Sequence, residues 1–186
     1  MKSELRSTCW DKALSAYGTH YIFQRRAKNL KQRIDVLNYI GVVVPLLVGG
    51  LVISFGRFEL LGVAIVIAGV VGLAQISVNL WSLIKNWSDE YAYAVASAAA
   101  NESLAVKYSS LAGNPPGLIA DFRREFDRIL VDDEARRARD IEKHLTEKEL
   151  RRGMCAGLRQ YQRACSSCGL VPSSVRTTSC GVCGQF

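Results

Sequence analysis

The stretch VLNYIGVVVPLLVGGLVISFG, Val36–Gly56, is followed after Arg57-Phe58-Glu59 by LLGVAIVIAGVVGLAQISVNLWSLI, Leu60–Ile84. Asp35 and Arg57 bracket the first run, 21 residues without a charge; Glu59 and Lys85 bracket the second, of 25. A hydrocarbon layer about 30 Å thick takes about 20 helical residues to cross. Backbone groups find no water there, so both runs are expected to be helices. The three residues between them allow only a tight antiparallel turn. The expected fold is an all-α membrane protein: a two-helix transmembrane hairpin with spans of about 36–56 and 60–84. A cleaved signal peptide fits poorly, because the first run starts after 35 residues and no A-x-A-like site follows it. A soluble buried hairpin would need a large surrounding core, and the rest of the chain reads as too polar to build one.

Charge is distributed unevenly over the 186 residues, whose net charge is +7. Before Val36 there are 8 basic residues against 3 acids; from Gly113 onward there are 13 against 10. Arg25, Arg26, Lys28, Lys31 and Arg33 lie just before the first run, while the turn carries only Arg57. Basic residues beside a span mark its cytoplasmic side. Both termini are therefore expected in the cytoplasm, with these five residues at the lipid headgroups. Trp81 and Trp87 suit the aromatic belt at the same interface.

Small and polar residues inside the runs form stripes. Gly41, Pro45 and Gly49 recur every four residues in the first; Ala64, Ala68, Gly72, Gln75 and Asn79 mark the second. Small residues allow close helix approach, and amides bond across helices in lipid. The stripes serve either packing within one hairpin or a polar pathway in an oligomer. Neither run holds a charged residue, which disfavours a proton pump or ion-coupled transporter.

Outside the runs the chain reads as helical. Trp10, Leu14, Tyr17, Tyr21 and Leu30 share a helical spacing, interrupted by Gly18, and predict a helix from about residue 9 into the first span. His20 in that helix carries no metal or catalytic expectation. Ser88-Asp89-Glu90 opens an Ala-rich helix to Leu111, and Asn114-Pro115-Pro116-Gly117 breaks it. Leu118, Phe122, Phe126, Ile129 and Leu130 predict an amphipathic helix with a solvated charged face. With the hairpin stripes, these apolar faces exceed what one short domain buries and predict a homo-oligomer. Thr146 with Glu149 reads as a capping box. No aromatic interleaving or reader motif accompanies the charges, so no specific nucleic acid is expected.

The last 22 residues contain Cys165-Ser-Ser-Cys168 and Cys180-Gly-Val-Cys183, eleven residues apart. Four thiolates at this spacing match a structural zinc site of four cysteines, a small knuckle or ribbon. Gly169 and Gly181 are expected to supply left-handed turns. Two disulfides would suit an oxidising compartment, and a redox or iron–sulfur role also stays open. Cys9 and Cys155 lack partner spacing and read as a small apolar contact and a helix residue. So short a segment holds no core unaided, so the metal is expected to supply its folding energy. No phosphate loop, nucleophile elbow or catalytic constellation occurs, and no enzyme is expected.

These cysteines behind an N-terminal hairpin resemble the mobilome CxxCx(11)CxxC proteins, and the part from about Trp10 to Leu111 resembles the SLATT domain, a two-span module of bacterial nucleotide-signalling defence loci. The resemblance implies a SLATT-like two-transmembrane domain over 1–112, a charged cytosolic helical region over 113–163 and a zinc module over 164–186. It implies an effector in the bacterial inner membrane that acts against phage. Such an effector would permeabilise or depolarise the membrane once a sensor or nucleotide-signalling partner encoded nearby detects infection. The alternative is a membrane-anchored scaffold whose zinc tail recruits a protein or nucleic acid.

Overall fold

The computed structural model describes residues 1–55 and 61–186. The turn expected at Arg57-Phe58-Glu59 lies outside the described residues. Among the described residues five helices follow one another: α1 (Lys2–Phe55), α2 (Leu61–Ile84), α3 (Trp87–Gly113), α4 (Ile119–Ile141) and α5 (Glu147–Gln160). No strand occurs among the described residues. The fold is all-helical, and two of its helices are long and apolar enough to cross a membrane, within Lys2–Gly50 and Ile65–Ile84.

Helix α1 begins earlier than the sequence predicts and runs through Gly18 and Pro45 without a break. The residues that end helices elsewhere are conventional. Asn86 takes a left-handed backbone, φ 48°, between α2 and α3, a conformation asparagine tolerates well. The Asn114–Gly117 segment separates α3 from α4 as expected. Thr146 caps α5: its hydroxyl accepts from the Glu149 N–H, and the Glu149 carboxylate accepts from the Thr146 N–H, completing the capping box.

By contacts the chain divides into two units, Met1–Arg26 with Tyr93–Phe186, and Ala27–Ala92. The first turns of α1 pack with α3, α4 and α5, all far along the chain. In the first, helical unit, Cys9, Ala13 and Ala16 of α1 pack with Leu104, Ala105, Tyr108 and Leu111 of α3 and with Phe122, Phe126 and Ile129 of α4. The chain outside the apolar runs is thus polar on average yet builds a core. Phe122 and Phe126 are buried, whereas Leu118, expected on the same face, is 69% exposed. Phe122, Phe126 and Ile129 of the α4 face are thus covered within the chain.

Glycine decides how α5 meets α1. A Cβ on Gly18 would stand 2.9 Å from the carbonyl oxygen of Gly153, one on Gly153 2.7 Å from that of Gly18, and one on Gly157 2.8 Å from that of Leu14. The two backbones touch because no side chain separates them. The interruption seen at Gly18 is a contact point.

The second unit is the hairpin. Arg33 lies over the Trp87 ring, and Gly41 faces Gln75, whose amide nitrogen would be 3.3 Å from a Cβ at Gly41. As one number rises the other falls, which is antiparallel pairing. Half-buried positions recur at Ile34, Leu37, Gly41, Val44 and Val48, and at Ala68, Gly72, Gln75 and Ser82. Spacings of three and four form the narrow seam of two packed helices. The remaining apolar side chains point away: Leu46 is 69% and Leu73 68% exposed, and no residue of either apolar window is buried.

Candidate metal centre

Each C-x-x-C closes a similar turn. The Gly169 N–H donates to the Cys165 carbonyl at 2.8 Å, and the Gly184 N–H donates to the Cys180 carbonyl at 3.0 Å. The two glycines that follow the knuckles answer different needs. Gly169 has φ 72° and open space where a Cβ would be, so its requirement is conformational. At Gly184 a Cβ would stand 2.8 Å from the Thr178 carbonyl oxygen and 3.0 Å from that of Cys180, so its requirement is space. Gly181, expected to supply a left-handed turn, does not take one.

The turns bring the sulfurs of Cys165, Cys168, Cys180 and Cys183 within 4.8 Å of one another. Cys165 and Cys180 are 3.9 Å apart, Cys168 and Cys183 3.8 Å. A tetrahedral metal with metal–sulfur bonds of about 2.3 Å has sulfur–sulfur edges of about 3.8 Å. The closest pairs match that edge, and all six cysteines are unbridged. The donor set therefore fits a four-thiolate metal site. Backbone N–H groups of Cys183 and Val182 aim at Cys180 and hold its thiol down at about 6, against a smaller opposing effect of burial. Burial opposes ionisation of Cys165, yet the N–H groups of Cys168 and Ser167 leave it below its ordinary value. Burial, with hydrogen bonds shared among the thiols, pushes Cys183 up. Two sulfurs of one site are thus biased toward thiolate, while the surroundings of the third favour its neutral thiol.

The site is part of the helical unit. Cys165 and Cys183 are buried with Leu14, Cys155 and Leu158, and Val175 and Phe186 pack on that cluster. Arg152 lies over the Phe186 ring, Arg151 donates to the Gln185 carbonyl, and the Cys155 thiol sits 3.7 Å from the Ser174 carbonyl. The segment does not stand by itself: α5 and the start of α1 form its floor. Cys9 is buried in the helical core, as its spacing implied, and burial pushes its thiol up to about 11.

A family model described as the mobilome CxxCx(11)CxxC protein matches residues 6–186. The chain belongs to that family. No curated protein and no solved structure matches it. In this mobilome CxxCx(11)CxxC protein the matched region takes in most of α1, the whole of α2 to α5 and the signature cysteines.

The other predicted residues are placed as follows. Gly41, Gly49, Ala68, Gly72 and Gln75 are half-buried, while Pro45 and Asn79 are exposed. The Gly41 face continues through Val44 and leaves Pro45 outside. Of the basic group, Arg25, Lys28, Lys31 and Arg33 are exposed. Arg26 is committed elsewhere: its guanidinium grips both Glu149 oxygens at 2.6 and 2.7 Å and donates to the carbonyls of Lys143 and His144. Partial burial opposes the charge on Glu149, but Arg26 and the Thr146 N–H and hydroxyl outweigh it and hold the carboxyl at about 2.

The charged face of α4 is only partly solvated. Asp140 is buried and accepts from Tyr93, Ser97, Asn101 and Arg136 at 2.7–2.9 Å. Asp133 is buried and accepts from Lys12 and Tyr108. Burial, then the bond to Asp140, pushes the Tyr93 hydroxyl up to about 12. A signal was present: Phe122, Phe126, Ile129, Asp133 and Asp140 follow one heptad-like face. An acid on an apolar face is a buried, partnered acid.

Proposed function

We propose that the two apolar helices span the inner membrane of a bacterium and that the chain is an anti-phage effector. In this reading it assembles as a homo-oligomer and permeabilises or depolarises that membrane when a sensor or nucleotide-signalling partner triggers it. The observation that carries the membrane placement is the contrast in burial: none of the apolar windows is buried, while the helical unit of the same chain buries a core that includes Phe23, Tyr108 and Phe122. The effector role is supported by the mobilome family and by the resemblance to SLATT modules. Exposed Arg25, Lys28, Lys31 and Arg33 favour cytoplasmic termini, a reducing compartment in which four free thiols hold a structural Zn2+. The reading requires no catalytic step, and its contacts are with membrane lipids, further copies and the triggering protein.

The two amides take different parts. Pro45 has no N–H to offer the Gly41 carbonyl, and the Gln75 amide lies on that turn. Gln75 thus serves packing within the hairpin, whereas exposed Asn79 is left to face a second copy or a polar pathway. The test is induced expression with a potential-sensitive dye. Wild type depolarises cells when triggered. Asn79→Leu keeps the protein in the membrane and abolishes the leak, while Gln75→Leu weakens the hairpin itself. A triggered wild type that leaves the potential unchanged removes the effector reading.

Leu170 and Val171, exposed near Cys168, favour one second reading, a membrane-anchored scaffold whose zinc tail recruits a partner. Leu170→Asp abolishes function there and leaves a pore untouched.

A further inference from the structure

A cleft of about 510 Å3 opens at the start of the hairpin, lined by Asn29, Gln32, Arg33, Val36, Leu37 and Trp87. The five α1 residues are spaced three and four apart and form one helical face. Its chemistry changes abruptly along that face. Asn29, Gln32 and Arg33 offer two amides and a guanidinium, while Val36 and Leu37, one turn on, offer only hydrocarbon. Trp87 closes the cleft and holds the guanidinium 5.7 Å from its ring centre.

We infer that this cleft holds the headgroup and upper acyl chain of one anionic phospholipid, a proposal that rests on the membrane placement above. A guanidinium fixed against an indole presents a preformed fork to a phosphate. The two amides lie on the same face, within reach of the phosphate and glycerol ester oxygens. Val36 and Leu37 continue into the first apolar run, so an acyl chain follows them where a soluble anion would leave them wet. The same stretch carries Lys28, Lys31 and Lys85 but also Asp35, Asp89 and Glu90. Net charge is thus nearly balanced, and selection falls to Arg33 rather than to a general positive field.

The test uses the full chain, purified in a mild non-ionic detergent and exchanged with vesicles of phosphatidylcholine with or without phosphatidylglycerol. Native mass spectrometry then counts retained lipid. The expected result is one phosphatidylglycerol per chain, kept in preference to phosphatidylcholine. Arg33→Gln loses about tenfold in retention, the size of one charge-assisted pair, and Lys31→Gln changes it little. Soluble glycerol phosphate does not compete. Equal retention of both lipids, unchanged retention in Arg33→Gln, or full competition by glycerol phosphate would overturn the inference. The parent reading fails differently: carbonate then strips the protein from membranes before any lipid is counted.

Discussion

The two units of this chain solve opposite problems with the same secondary structure. In the helical unit, Tyr108 and Phe122 are fully buried and the charges that join them, Asp133 and Asp140, are buried and partnered. In the hairpin, side chains as large as Leu73 and Ile84 are mostly exposed, and the half-buried seam is made of small residues and one amide. Contiguous apolar patches on soluble monomers rarely exceed a few hundred Å2, and the outward apolar face of the hairpin is what the proposed membrane placement would cover. Helix formation alone therefore says little about environment. Which side chains face outward says most of it.

The largest effect that would sharpen this contrast is at the metal centre. Purified protein should carry about one zinc per chain, and Cys165→Ser or Cys183→Ser should lose it. Because these two sulfurs are buried against Leu14 and Leu158, the helical unit should lose several kcal/mol with the metal, read as a lower unfolding midpoint. Insertion of the hairpin should not change. A metal-free variant as stable as wild type would show that α5 folds the tail alone.

Next comes a matched pair. Phe122→Ala should cost about 3–5 kcal/mol, as large-to-small core changes do. Leu73→Ala, on the outer face of the hairpin, should cost under about 0.5 kcal/mol in detergent. Denaturant titration of both variants reads the difference. A large loss at Leu73 would break the comparison, since it would place another protein surface over that face.

Smaller again is the α1–α5 contact. Gly157→Val should cost about 1–3 kcal/mol, because its side chain would meet the Leu14 carbonyl. Gly49→Val should be nearly neutral, since a Cβ there meets nothing within 4 Å. Thermal unfolding of the two variants separates a glycine at a backbone contact from one with open space around it.

The smallest effect is electrostatic. Glu149 is held at about 2, below its ordinary 4.5. A carboxylate depressed on folding stabilises fully above its unfolded value and loses that contribution as pH falls from about 4.5 through about 2. Arg26→Gln should remove about 1 kcal/mol near neutrality, the scale of a half-exposed pair with good geometry. It should also flatten the acid limb of the stability profile in that window. An unchanged limb would mean that Arg26 does not govern Glu149.

Much of this was legible in the residues. The two charge-free runs, the break at Asn114–Gly117, the Thr146 capping box and the four cysteines each depend on neighbours a few positions away, and the structure shows two apolar helices, the break, the cap and a close cluster of four sulfurs. The buried acids of α4 were readable too, by extending the spacing of Phe122, Phe126 and Ile129 to Asp133 and Asp140. Gly153 and Gly157, four apart on α5, signalled a close helix contact. What they touch was not readable, since Gly18 and Leu14 lie more than a hundred residues earlier. The same distance separates Arg26 from Glu149, which is why Arg26 read as one more basic residue beside a span.

The sequence by itself determined where the chain breaks between α3 and α4 and where α5 starts, which two stretches are long and apolar, and which four sulfurs form one donor set. These follow from local propensity, from the absence of charge, and from a spacing short enough to leave few alternatives. Only the tertiary structure decided that the start of α1 belongs with α3, α4 and α5, that the cysteine tail rests on that unit, and that Arg26 is spoken for while Arg33 is exposed. Such pairings depend on which surfaces fit after the chain has folded back over a hundred residues, and no local pattern encodes that fit.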